Sequence, residues 1–215
     1  TLPRENVARV RFGVVSCCNL PQGYFNAYAC LANRHDLDAV LHLGDYLYEY
    51  ANAQYGDGSK YGRGPVPDQE MVALSHYRAR HAQYKADPDA QAIHQQHPFI
   101  TTWDDHEFAN NTWSGGAQNH NADAGEGEWN ARRAAAIQAY FEWMPIREDA
   151  AALQGKIYRQ FRIGNMATLI MLDTRMIGRD RQVLSKDTAA TEDPTRQLLG
   201  AEQEGWLAEQ LVASV

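Results

Sequence analysis

Residues Asp38 to Leu43, Asp-Ala-Val-Leu-His-Leu, read as a buried strand that runs directly into Gly44-Asp45-Tyr46-Leu47-Tyr48, a turn of polar and aromatic residues. Upstream, Val7 to Val15 (VARVRFGVV) has the β-branched content and alternation of a second strand, and it ends in the small cluster Ser16-Cys17-Cys18-Asn19. Between the two, Tyr24, Phe25, Tyr28, Ala29, Leu31 and Ala32 recur at helical spacing, so the segment is a β, α, β unit. Downstream, Pro98 to Trp103 (PFITTW) predicts a third strand, followed by Asp104-Asp105-His106-Glu107. The three strands predict an α/β fold in which each strand ends on a polar cluster. Ligands of open α/β sheets bind outside the carboxyl ends of strands, so the three clusters are expected to line one crevice.

The remaining segments fill in around this unit. Tyr50 to Gly64, rich in Gly, Asn, Tyr and Ser, reads as a long surface loop. Asp68 is expected to cap a helix running through Met71, Leu74 and Tyr77 to about Tyr84, with a second helical piece from Pro88 towards Gln96. A Gly- and Asn-rich stretch from Asn110 to Gly127 precedes an Ala-rich helix from about Glu128 to Trp143, which Pro145 stops. Lys156 to Ile163 and Met166 to Leu172 flank Gly164-Asn165, a hairpin signal because both turn residues tolerate positive φ. A last helix spans Glu202 to Val212, with Trp206, Leu207 and Leu211 on one face.

The composition of the 215 residues, 44% hydrophobic and 22% charged, is that of a globular domain. A net charge of -7 argues against a partner bound by broad phosphate neutralisation, so no nucleic-acid binding is expected. The apolar runs fall short of a transmembrane segment. Three cysteines (Cys17, Cys18, Cys30) leave at least one thiol outside any intramolecular bridge, and Cys18 and Cys30 are either free or paired. The opening Thr1-Leu2-Pro3, without an initiator Met or export signal, reads as a processed or excised start.

The clusters carry metal-competent donors. A thiolate from Cys17, a carboxylate from Asp45 and a phenolate from Tyr48 suit a high-valent iron, because anionic donors stabilise a highly charged cation. Asp105, completed by Asn110 or Asn111, suits a hard divalent ion such as calcium or magnesium. With one oxygen on each metal, Asp45 would hold them about 3.5–4 Å apart, the separation used for in-line displacement at phosphorus. Taken singly, each residue has a plain structural alternative: Cys17 as a small buried hydrophobe, Asp45 as a turn residue, Asp105 and Glu107 as helix caps. His42 reads as a hydrogen-bonded core histidine, and Arg78, Arg80, Arg132 and Arg133 as solvated helix faces. Arg175 either clamps a phosphate or pairs with a structural carboxylate.

At these residues the sequence resembles the PhoD-like alkaline phosphatase family, a branch of the calcineurin-like metallophosphoesterases. SCCN, GDYLYEY, WDDHEFANN, MLDTR and LLGAEQEGWL carry the likeness from Ser16 to Leu207. The resemblance implies a four-layer α/β/β/α sandwich, incomplete here, with residues 1–215 as the N-terminal portion of the catalytic domain. It implies that Cys17 ligates iron in place of the usual Asp, that Asp45 bridges, that Tyr48 is an iron ligand, and that Asp105 serves the second metal. His106 takes the role of general acid or transition-state stabiliser. Fe(3+) with Ca(2+) is the implied metal pair, and export to the periplasm or outside the cell the implied localisation. The family's later Asp and His ligand motifs have no counterpart here, since no histidine follows His120.

The expected activity is hydrolysis of phosphate mono- or diesters by a metal-activated hydroxide. The alternatives are a phospholipase-type phosphodiesterase, whose two long loops hold a larger alcohol, and a non-catalytic fragment or binding module with an open site. The sequence leaves the oligomeric state open.

Overall fold

The computed structural model describes residues 6–147, 155–183 and 186–214; the Thr1-Leu2-Pro3 start lies outside them. Strands β1 (Phe12–Val15), β2 (Ala39–His42) and β3 (Phe99–Thr101) form a parallel sheet in the order β1-β2-β3. The register pairs Phe12 with Ala39 and Val40 with Phe99, which brings the carboxyl ends to one edge. The crossover from β1 to β2 is α1 (Asn26–Ala32), and that from β2 to β3 contains α2 (Leu74–Lys85) and α3 (Pro88–Gln96). An antiparallel hairpin follows α4 (Trp129–Trp143): β4 (Arg159–Ile163) and β5 (Ala167–Met171) turn at Gly164, whose φ is +52°. Helices α5 (Thr188–Glu192) and α6 (Ala201–Ala213) complete the described chain.

The period of two along β2 sorts its side chains between two cores. Val40 joins the large cluster under the helices, with Tyr77, Tyr84, Ile93, Trp103, Phe108 and Tyr140. Ala39 and Leu41 face the other way and pack with Ile100 and Met171, so the hairpin covers the second face of the sheet. Outside the hairpin lies α6, where Trp206 packs on Tyr158 and Gln203 exchanges two hydrogen bonds with the backbone of Asp173. This layering is the mixed α/β order expected.

Several expected boundaries move. The ladder of β1 begins at Phe12, because residues before Arg11 have no partner on β2, while Arg11 and Asp38 close the ladder end with N–H bonds to each other. Helix α2 starts at Leu74 and not at Asp68, whose carboxylate accepts from the Asn52 N–H in the preceding loop; His76 Nδ1 instead accepts from Val72 and Ala73. Leu211 is exposed, and the buried side chain of α6 is Gln203. Helix α5, capped by Asp187, lacks an apolar face in the sequence to announce it. Cys18 and Cys30 are free thiols.

Arg80 and Arg132 are buried, which corrects their reading as solvated residues. Arg80 donates to the carbonyl oxygens of Tyr48, Tyr50, Val66, Pro67 and Gln69, and so gathers the loop after β2. Arg132 pairs with Glu70 at 2.8 Å and Glu126 at 3.1 Å, tying α4 to the segment before α2 and to the Asn110 to Gly127 stretch.

His42 is the expected core histidine, fully buried, with Nε2 3.0 Å from Tyr28 Oη. Burial drives both His42 and His81 down to about 3. Both are then neutral in the native state and protonated in the unfolded chain between about pH 3 and 6.5, so they withdraw stability as pH falls through that window. The unmodified chain should therefore lose more unfolding free energy between pH 6.5 and 4 than His81→Phe, the difference approaching about 1.4 kcal/mol per pH unit. Urea titrations at several pH values measure it; parallel slopes for the two proteins would contradict it.

Candidate metal centre

The three strand ends meet. Gly44 allows the closest approach: its φ is +106°, and a Cβ there would lie 2.4 Å from the Asp104 backbone nitrogen. No other residue fits between the loops that follow β2 and β3. Cys17 and Asp45 also adopt positive φ, 59° and 53°, a strained conformation for residues with a Cβ. Backbone hydrogen bonds from Cys17 N to Gly44 O and from Cys18 N to Asp45 O hold the first loop beside the second.

This framework gathers the donors around Asp45. Cys17 Sγ lies 3.6 Å and Tyr48 Oη 3.2 Å from the same oxygen, Asp45 Oδ2. The other oxygen, Oδ1, accepts from the His106 backbone N–H at 3.3 Å. Asp45, Asp105 and His106, all buried, place ligand atoms within 4.8 Å of one another. Burial raises the Asp45 carboxyl, and the charges of Asp105 and Asp104 add to it while His106 opposes. The Cys17 thiol is raised by burial against a hydrogen bond from Ser16, and the Tyr48 phenol by burial and the charge of Asp45. Two acidic groups thus hydrogen-bond to one oxygen of a third. A cation fits that donor set, because it would replace the protons and stabilise all three anions.

Two buried carboxylates organise the rest. Glu107 accepts from the backbone N–H groups of Asp45, Tyr46 and Asp104 at 3.0, 2.6 and 2.8 Å, locking the two loops together. Glu49 accepts from His106 Nδ1 at 2.7 Å, Asn110 N at 2.6 Å and Asn119 Nδ2 at 2.9 Å. Since a carboxylate only accepts, His106 Nδ1 carries the proton and Nε2 turns towards Asp105, 3.9 Å away. Burial opposes the imidazolium, but the Glu49 hydrogen bond and the charges of Glu49, Asp105 and Asp45 push His106 up to about 9.

Of the residues expected from sequence, Cys17, Asp45, Tyr48, Asp105 and His106 converge. Asn110 is tied to Glu49 through its backbone N–H. Arg175 lies on Asp104 at 2.5 Å and Asp105 at 3.1 Å, which is the carboxylate-pairing alternative and leaves no open phosphate fork. The Asn111 N–H takes Asp105 Oδ2 at 2.5 Å. The sequence offers Glu107 only as a helix cap and gives no role to Glu49; the signal of both is an acid inside runs of otherwise buried aromatic and apolar residues, Tyr46-Leu47-Tyr48-Glu49 and Glu107-Phe108-Ala109.

Known proteins resemble this chain in sequence and in fold. The family model described as PhoD-like phosphatase matches residues 12–215. Alkaline phosphatase D of Bacillus subtilis (strain 168) is 39% identical over 221 residues, covering 99% of this chain and 36% of that protein. A solved structure titled "Structure of PhoD" superimposes with a TM-score of 0.86 at 39% identity, covering 100% of this chain and 41% of that one. The chain therefore spans well under half the length of these relatives.

Proposed function

The chain belongs to the PhoD-like phosphatase family, and on that premise we propose that residues 1–215 form the N-terminal portion of the catalytic domain of a metal-dependent phosphoric-ester hydrolase. The observation that carries this reading is the convergence of Cys17 Sγ and Tyr48 Oη on one oxygen of Asp45, with Asp105 and His106 on its other side. Cys17, Asp45 and Tyr48 would hold a ferric ion, and Asp45, Asp105 and Asn110 a hard divalent ion such as calcium. Bound there, such a pair supplies Lewis-acid polarisation of the phosphoryl group and acidifies water.

The protein's own residues do the rest. Asp45 presents one oxygen to each side of the centre. Arg175, paired with both Asp104 and Asp105, keeps Asp105 aimed. His106, held by Glu49 through Nδ1, presents Nε2 to the departing oxygen and delivers a proton to it. An acidic protein can take an anionic substrate because bound cations dominate the local field. The family resemblance read from the sequence implies a place in the periplasm or outside the cell. No described helix is long and apolar enough to cross a membrane.

Turnover of 4-nitrophenyl phosphate beside bis(4-nitrophenyl) phosphate, by the chain supplied with ferric ion and calcium, tests the proposal. Release of nitrophenol from either ester supports it, and hydrolysis of the diester assigns phosphodiesterase action. If neither ester is cleaved, the chain is a fragment or binding module and the catalytic reading fails for it.

A further inference from the structure

Beside His106 and the proposed iron ligand Tyr48 stand two further aromatic rings, Tyr50 and Tyr55, with no part in holding a cation. Tyr55 lies on the loop Tyr50 to Gly64, and that loop is fastened across the cysteine segment: Asn19 Nδ2 donates to Tyr55 O at 2.8 Å, and at Gly56, φ +107°, a Cβ would come within 2.7 Å of Gln22 Cγ. Asn52 braces the loop from inside, bonding Asp57, Gly58, Ser59 and Asp68. The backbone under Tyr55 is therefore fixed, yet its side chain is 48% exposed.

The ring planes are nearly parallel. Tyr55 makes 22° with Tyr48 at 5.6 Å between centroids and 19° with His106 at 6.0 Å, while Tyr48 lies 4.2 Å from His106 at 31°. Tyr50 is turned further, at 38° to Tyr55 and 53° to His106. A cage for a quaternary ammonium encloses its guest with ring faces from several directions. Parallel faces extend a stack instead, and a stack accepts another planar ring with little regard to its substituents. The departing oxygen would lie at His106, so the group bonded to that oxygen would lie among these rings.

We propose that Tyr55, backed by Tyr48, is the platform on which the leaving alcohol stacks, so that the site favours phosphoric esters whose leaving group carries a planar ring. The assignment of that platform to a leaving group rests on the phosphoester reading above; the capacity to stack a ring does not. Isothermal titration of the full chain supplied with calcium, using three inert probes, separates the two. Phenylphosphonate should bind about tenfold tighter than methylphosphonate, Tyr55→Ala should bring the ratio to near one, and Tyr55→Phe should preserve it. Equal binding of the two phosphonates to the unmodified chain, or a ratio unmoved by Tyr55→Ala, overturns the platform. Should neither phosphonate bind, phenol decides: Tyr55-dependent phenol binding upholds the platform while the phosphoester reading falls, and phenol binding that is absent or indifferent to Tyr55 overturns the platform too.

Discussion

Replacing Glu49 by glutamine is expected to lower kcat for an aryl phosphate roughly 10- to 100-fold while leaving KM within about threefold. Glu49 is fully buried, and its Oε1 takes the Asn110 and Asn119 donors while Oε2 takes His106 Nδ1. Glutamine keeps the size and the oxygen facing Asn110 and Asn119. Its amide nitrogen then faces His106, so Nδ1 must become the acceptor and the imidazolium loses its partner. On the proposed mechanism the interaction lost would serve proton delivery to the leaving oxygen and not the binding of the phosphoryl group, which is why kcat should fall without KM. Steady-state kinetics on Glu49→Gln and the parent, with unfolding midpoints as a control, check this. A rise in KM at unchanged kcat would assign Glu49 to substrate binding.

Glu107 should matter most for the fold. Its carboxylate is the acceptor for three backbone N–H groups in a place sealed from solvent, and burial pushes its acidity down despite those bonds. Glu107→Ala orphans all three donors, each costing about 1–3 kcal/mol, enough to remove much or all of the stability of an ordinary domain. Glu107→Gln should be milder, about 1–3 kcal/mol, because its oxygen serves Asp45 and Asp104 while its NH2 opposes the Tyr46 N–H. Urea unfolding ranks parent, glutamine and alanine in that order. Equal midpoints for all three would mean the two loops are held by something else.

Much of this was legible before the structure. A strand ending on Gly-Asp, another on Ser-Cys-Cys and a third on Trp-Asp-Asp-His already place thiol, carboxylate and imidazole at one sheet edge, because parallel strands share their carboxyl ends. The centre's supports were hidden. Glu49 and Glu107 act through donors about 60 positions away in the chain, such as His106 and Asp45, and no local period encodes such a pairing. Arg80 and Arg132 look like surface residues because their helices carry charge on several faces, and only the incoming loops bury them. Tyr55 reads as a loop tyrosine until Asn19 and Gly56 fix that loop over the cysteines. Helix α2 starts late because Asn52 claims the Asp68 side chain before it can cap.

The central claim is that three strand ends form one metal centre with Tyr48 on iron. Resonance Raman scattering excited in the visible band during ferric-ion titration tests it most directly, because a phenolate bound to ferric iron enhances tyrosine ring modes that the thiolate band expected from Cys17 does not carry. The proposed centre predicts tyrosine ring modes that saturate at one iron per chain and are lost in Tyr48→Phe, with visible absorption from the Cys17 thiolate persisting in that variant. Iron bound without colour, or tyrosine ring modes that are absent from the parent or survive Tyr48→Phe, would contradict it.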